Sequence, residues 1–219
     1  MAVIFTMQLS AHITTTIGDS NSTLQTSFAP VSYAYQNSYS QTIYPASDLI
    51  SGGIVSMSYY CNAINAVPEG TIKIYMAEVQ NSVITNFLSG VDFVEVYSGT
   101  IQWVLGWNQI TFTTPFLYTG TGNLLIATIK DGTVYSVSNY YKASFALNSV
   151  VYHYADNIEY DVNNNHSGTL NHNRPVIKLT IADLDTYCHP VTNLSFDTEN
   201  LTTTSATVSW DVLDENSTT

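Results

Sequence analysis

Apolar and polar side chains alternate along this chain in short runs, and no run repeats at helical spacing. Ile72, Ile74 and Met76 share one face of an extended segment, whereas Lys73 and Tyr75 share the other. A period of two residues is typical of β-strands, because successive side chains of a strand point to opposite sides of the sheet. The chain is therefore expected to fold from strands rather than helices.

The same alternation, bounded by turn residues, predicts a series of short strands. They lie at 40–44, 54–62, 71–79, 93–97, 108–113, 123–129, 149–154 and 175–181. Asp131 and Gly132 predict a tight turn between hairpin partners. Short strands at this spacing, with no helices between them, indicate antiparallel sheets. We predict an all-β fold, an antiparallel jelly-roll-like β-sandwich, over residues 12–183.

The composition narrows the partners that such a domain can have. Of 219 residues only 5 are Lys or Arg, against 17 Asp or Glu, which gives a net charge of -12. So few cations cannot neutralise a run of phosphates, so we expect no nucleic-acid partner. No apolar run approaches the roughly 18 residues of a spanning helix, so no membrane insertion is expected.

The two ends of the chain differ from the predicted sandwich. Residues 1–11 are apolar and lack Lys and Arg, so they are either a truncated signal peptide or an N-terminal strand. Residues 184–189 are expected to be a linker. Residues 190–219 resemble the first two strands of a fibronectin type III domain, through a P-x-x-x-L entry and the alternating T-S-A-T-V-S-W run that ends at Trp210. That resemblance implies an incomplete domain and further domains in the same longer chain.

Residues 40–181 also resemble secreted modules of bacterial cell-surface proteins. The stretches that carry the resemblance are S-Q-T-I-Y at 40–44, I-K-I-Y-M-A at 72–77, G-W-N-Q-I-T at 106–111, T-P-F-L-Y-T-G at 114–120, G-N-L-L-I-A at 122–127 and N-R-P-V-I-K-L-T at 173–180. The resemblance implies an adhesin-like or carbohydrate-binding-like module outside the cell or at its surface, with no catalytic residues. The sequence departs from the family pattern after Lys130, where a short turn replaces a longer Asp-rich one.

An acidic segment near residue 160 has the residue types required for two other functions, glycoside hydrolysis and calcium binding. Glu159 and Asp161 are alternate residues, which share one face of a strand, as the two catalytic carboxylates of some glycoside hydrolases do. The third residue on that face is Asn163, which is not a carboxylate. We therefore favour a solvated acidic loop and predict no enzymatic activity. Asp156, Glu159 and Asp161 also offer oxygen ligands, which suits a structural calcium ion. No other cofactor is expected.

Aromatic side chains are the candidates for ligand binding, because a flat ring packs against the C–H bonds of a sugar while polar neighbours bind its hydroxyl groups. Trp103, Tyr140 and Tyr141 are the predicted aromatic contacts, and Asp131 is the predicted hydrogen-bonding partner. Consecutive tyrosines in a strand face opposite sides, so one of each pair is expected to be exposed. Trp107, which leads into a strand, is expected to lie in the core.

These observations predict a binding module that recognises a glycan or a protein at the cell surface. Two alternatives remain open, a structural spacer and an accessory module of a secreted hydrolase. A disulfide between Cys61 and Cys188 is compatible with a secreted protein, but two cysteines in a chain of this length do not require one.

Overall fold

A computed structural model describes residues 12–65, 70–132 and 137–182, together with the backbone of residues 191–196 and 208–212. The chain divides into two compact units, Met1–Leu184 and Asp185–Thr219. The predicted signal segment, the linker at 184–189 and Cys188 lie outside the described residues. No helix among the described residues is both long and apolar enough to cross a membrane.

Eleven strands and one short 3-10 helix, Ala46–Asp48, make up the described part of the first unit. The strands are β1 His12–Ile17, β2 Gln25–Thr26, β3 Asn37–Tyr44, β4 Gly52–Ala63, β5 Thr71–Val79, β6 Val94–Gly99, β7 Gly106–Tyr118, β8 Asn123–Asp131, β9 Tyr140–Ala155, β10 Thr169–Pro175 and β11 Ile177–Ala182. All of the strand pairs are antiparallel.

The strands form two sheets that share the long strand β9. Sheet I has the order β1-β11-β4-β7, and sheet II has the order β10-β9-β3-β8-β5-β6. The first residues of β9 pair with β4 and β2, whereas its remaining residues pair with β3 and β10. If β2, β9 and β10 are left out, the other eight strands can be renumbered 1 to 8 along the chain. Sheet I then has the order 1-8-3-6 and sheet II the order 2-7-4-5. This is the jelly-roll arrangement. The predicted fold class is confirmed.

The main core lies between the two sheets and follows the predicted alternation. On β4 of sheet I, Met57 and Tyr59 are 0% and 3% exposed, and on β5 of sheet II, Ile74 and Met76 are fully buried. These side chains belong to one contiguous apolar cluster. The apolar face of each strand is therefore the face that the opposite sheet covers.

Sheet II is unusual because its outer face is also covered. Tyr39 of β3 and Leu125 of β8 face away from the main core and belong to a second apolar cluster. Residues 80–93 cover this face with Ile84 and Phe87, and the Phe87 ring stacks on Tyr39 with the centroids 4.2 Å apart. Burial on both faces explains why β8 has an almost continuous apolar sequence.

Several predicted strands differ from those observed. The hairpin predicted at Asp131 and Gly132 is wrong, because β8 and β9 do not pair and instead lie on either side of β3. The long strand β9 begins nine residues before the predicted segment at 149–154, and β10 was not predicted. β10 has the sequence TLNHNRP, in which no apolar alternation marks a strand.

The second unit contains a pair of strands, β12 Val191–Phe196 and β13 Val208–Val212, which form an antiparallel two-stranded sheet. β12 lies within the first of the two predicted strands, 190–196, and β13 overlaps the end of the second, 203–210, and extends two residues beyond Trp210.

Candidate functional site

A cleft of about 740 Å³ opens on the outer face of sheet II, beside the covering loops. Its lining side chains come from the start of β3, from β5, from the end of β8 and from the loop after β9. They are Asn37, Thr71, Lys73, Tyr75, Ile129, Lys130, Asp131, Glu159, Tyr160, Asp161 and Asn164. A volume of this size is typical of a site for a small ligand.

The two faces of β5 decide which of its side chains reach the cleft. Ile72 and Ile74 point into the main core, so Lys73 and Tyr75 point outward. The Tyr75 ring is held from the side by Phe93, with the centroids 6.4 Å apart in an edge-to-face arrangement. The Tyr75 ring therefore forms an aromatic wall of the cleft, and Phe93 holds it in place.

Hydrogen bonds and ring contacts fix the loop that forms the opposite wall. The hydroxyl oxygen of Tyr160 lies 2.6 Å from Nδ1 of His153, and the Tyr160 ring meets His166 edge-to-face at 5.3 Å. Oδ1 of Asp161 accepts a hydrogen bond from the backbone N–H of Asn163 at 2.9 Å. Burial raises the pKa of Tyr160 to about 12, so this hydroxyl stays protonated at neutral pH.

Acceptor oxygens outnumber donors on this lining. Asp131 and Glu159 are exposed at the cleft, and Asn37 lies at its base with only 5% of its surface exposed. The side-chain amide of Asn37 donates to the carbonyl of Ile158 at 2.8 Å, while its Oδ1 has no hydrogen-bond partner among the described residues.

Lys130 lines the cleft, but its ammonium group is bound elsewhere. The side chain is fully buried, and Nζ donates to the carbonyl oxygens of Tyr35 and Gln36. Burial lowers the pKa of Lys130 to about 8, because a buried ammonium loses its hydration, although Asp131 and Asp156 oppose this effect. Lys73 is therefore the cation whose side chain faces the cleft from the sheet.

Three of the side chains predicted for binding meet in this cleft. Asp131 was predicted as a ligand contact, and Glu159 and Asp161 were predicted as calcium ligands. Asp156 does not line the cleft and instead accepts a hydrogen bond from the backbone N–H of Gln36 at 3.0 Å. Among the described residues, no three His, Cys, Asp or Glu side chains gather closely enough for one metal ion. Calcium binding stays a prediction.

The predicted aromatic contacts lie elsewhere. Trp103 and Tyr141 are 5% and 0% exposed and meet edge-to-face in the main core, with centroids 5.0 Å apart. The surface position expected for these two rings is therefore not found, and buried rings cannot stack on a sugar. Tyr140 is 37% exposed, as the alternation of the tyrosine pair requires, but it does not line the cleft.

Trp107 also differs from its prediction. It is half-buried on the outer face of sheet I rather than in the core. Its ring meets that of its cross-strand partner, Tyr60, edge-to-face at 5.2 Å. The cleft aromatics Tyr75 and Tyr160 were not predicted as contacts, although the alternation of β5 had already placed Tyr75 on its polar face.

We compared the chain with protein-family models, curated proteins and solved structures, and none of the three comparisons finds a match.

Proposed function

We propose that the first unit is a non-catalytic recognition module, located outside the cell or at its surface, that binds a glycan in the cleft on sheet II. The observation that carries the proposal is the pairing of an aromatic wall, Tyr75, with the acceptor oxygens of Asp131 and Glu159 in one cleft. The ring provides a surface for sugar C–H bonds, and the carboxylates accept hydrogen bonds from hydroxyl groups.

The balance of donors and acceptors supports a hydroxyl-rich ligand. Each sugar hydroxyl donates one hydrogen bond, so a lining rich in acceptors suits a ligand with many such groups. A concave site also favours a small or chain-like ligand over a protein, since protein interfaces are larger and carry an apolar core. The alternative, a protein partner, would engage the rim rather than the interior of the cleft.

Calorimetric titration with a panel of neutral oligosaccharides tests the proposal. Asp131→Asn and Glu159→Gln are each expected to weaken binding about tenfold, since a hydrogen bond to a charged group contributes about 1.5–3 kcal/mol. Tyr75→Leu is expected to weaken it several-fold while keeping the position filled. Asp92→Asn is the matched control, because Asp92 is exposed and lies outside the cleft.

Three outcomes would contradict the proposal. If the folded protein binds no member of a broad panel of host, plant and microbial glycans, the proposal fails and the spacer is favoured. If binding is found but is unchanged by all three cleft variants, the ligand site lies elsewhere. Release of reducing ends during the titration would replace recognition by hydrolysis, with Glu159 and Asp161 as the residues to test.

A further inference from the structure

The outer face of sheet I carries lysine side chains and no carboxylate from the strands of that sheet, although the whole chain has a net charge of -12. Among 17 Asp and Glu residues, none lies in the four strands β1, β4, β7 and β11 that form this sheet. Lys178 of β11 is on the outer face, since its neighbours Ile177 and Leu179 are buried in the main core. Lys142 of β9 follows the buried Tyr141 and lies beside Tyr60 on the same face.

Both lysines are held over aromatic rings. Nζ of Lys178 lies 4.4 Å from the centroid of the Trp107 ring, and Nζ of Lys142 lies 4.5 Å from that of Tyr60. The two rings are themselves in contact, with centroids 5.2 Å apart. Lys142 also donates to the carbonyl of Ser20 at 2.7 Å. Neither lysine forms an ion pair with a carboxylate within the described part of the chain.

Asn108 fixes the backbone that presents Trp107. Oδ1 of Asn108 accepts from the N–H of Val104 at 2.7 Å, and its amide donates to the carbonyls of Val104 and Gly106 at 2.8 Å each. Gly106 has a φ of 94°, a conformation that glycine adopts without strain. The ring is therefore pre-organised, which reduces the entropy lost when a ligand binds.

A groove of about 470 Å³ adjoins Trp107 and is polar on the side of β7. The exposed side chains of Gln109 and Thr111 line it, and Thr100 lines the opposite side. Next to the aromatic pair and its lysines, the groove thus offers hydroxyl and amide groups. This combination of ring, ammonium and neutral polar groups fits a sugar that carries an acidic group.

We propose that this face is a second binding site, which takes a short oligosaccharide containing hexuronic acid. The sugar ring contacts Trp107, the carboxylate pairs with the ammonium of Lys178, with Lys142 nearby, and the hydroxyl groups reach Gln109 and Thr111. A short ligand is specified because a chain with a net charge of -12 repels an extended polyanion. The site is independent of the cleft on sheet II.

Nuclear magnetic resonance titration with tetragalacturonate tests this proposal, using the whole chain and following the indole N–H signal of Trp107, assigned by its loss in Trp107→Phe. The fully methyl-esterified tetrasaccharide has the same rings without the charge. We expect it to bind at least tenfold more weakly. Lys178→Gln is expected to weaken tetragalacturonate binding at least tenfold, and Lys142→Gln less, because Lys142 is also held by Ser20.

Lys73→Gln removes the same charge from the other sheet and is the matched control. The proposal is supported if Lys178→Gln weakens binding while Lys73→Gln binds as the wild type does. It is overturned if Lys178→Gln binds as the wild type does, if Lys73→Gln weakens binding as much as Lys178→Gln, if the ester binds as well as the acid, or if no signal moves at millimolar ligand. Glu159→Gln in the cleft is expected to leave this binding unchanged, so the two sites fail or succeed separately.

Discussion

The indole nitrogen of Trp103 donates a hydrogen bond of 2.7 Å to the hydroxyl oxygen of Tyr33. Both side chains are buried, with 5% and 1% of their surfaces exposed. A buried indole N–H needs an acceptor, because leaving it without one costs the free energy of its lost hydration. This bond therefore allows the most polar part of the Trp103 ring to lie inside the apolar core.

Trp103→Phe is expected to lower the free energy of unfolding by about 2–3 kcal/mol, because it removes this hydrogen bond and leaves a cavity. Urea unfolding at neutral pH measures the loss. Trp107→Phe is the matched control, and its cost is expected to stay below about 1 kcal/mol because Trp107 is only half-buried. Equal losses in the two variants would contradict the assignment of Trp103 to the core.

Glu78 stabilises the turn between β7 and β8. Its carboxylate accepts hydrogen bonds from the N–H and hydroxyl of Thr119 at 3.0 and 2.7 Å, and from the N–H groups of Gly120 and Thr121 at 3.0 and 3.1 Å. Burial by itself would raise the pKa of Glu78, but these bonds to the charged form outweigh it and lower the pKa below the ordinary 4.5.

Glu78→Gln is therefore expected to cost about 1 kcal/mol at pH 7. A lowered pKa contributes stability above the unfolded value and loses it as the pH falls through the folded value. The stabilities of the wild type and Glu78→Gln should thus converge below about pH 4.5, which chemical denaturation at several pH values measures. Asp92→Asn, an exposed site, is expected to differ little from the wild type throughout. A constant gap between the wild type and Glu78→Gln would disprove the role of the charge.

Lys130 also makes the stability of the protein rise with pH, but in a higher pH range than Glu78. Its pKa is about 8 in the folded protein and is ordinarily 10.5, so the unfolded chain binds more protons between these values. The contribution of Lys130 to stability therefore rises with pH in this window. We expect the wild type to gain about 1 kcal/mol relative to Lys130→Met between pH 7.5 and pH 9. Urea unfolding at both pH values measures this gain. The prediction is refuted if the stability of the wild type relative to Lys130→Met stays constant or falls between pH 7.5 and pH 9.

Asn108 is expected to contribute to both stability and the orientation of Trp107. Asn108→Ala removes three hydrogen bonds from the 104–106 backbone and should lower the free energy of unfolding by about 2 kcal/mol. The indole N–H signal of Trp107 should also broaden or shift. Asn173→Ala, which removes one exposed bond to the carbonyl of Gln25, is the comparison and should cost less than about 1 kcal/mol. Equal effects would show that the loop does not depend on Asn108.

The strands that the sequence predicts best are those with one clearly apolar face. β5 is observed at 71–79, as its alternation predicts, and β4 extends the predicted 54–62 by two residues at the start and one at the end. β10 was missed because its polar residues lie in an edge strand, which within the described part of the chain pairs with β9 alone. An edge strand is held by backbone hydrogen bonds, which leave little trace in its side chains.

The candidate site was predicted only in part for a related reason. Asp131, Glu159 and Asp161 were singled out by residue type, and the fold brings these three side chains to one cleft. Their meeting depends on contacts between the end of β8 and the loop after β9, which are far apart along the chain. No local pattern carries that information.

The amino-acid sequence is enough to predict antiparallel strands, the alternation of their side chains and the scarcity of cations. Which strands are neighbours and which aromatic rings face solvent depend on contacts between residues that are distant in sequence, and these contacts appear only in the folded protein. Alternation gives each strand two distinct faces, but it does not say what covers them. Trp103 is buried because residues distant in sequence surround it, whereas Trp107 is half-exposed because no element packs over sheet I at that point in the described part of the first unit.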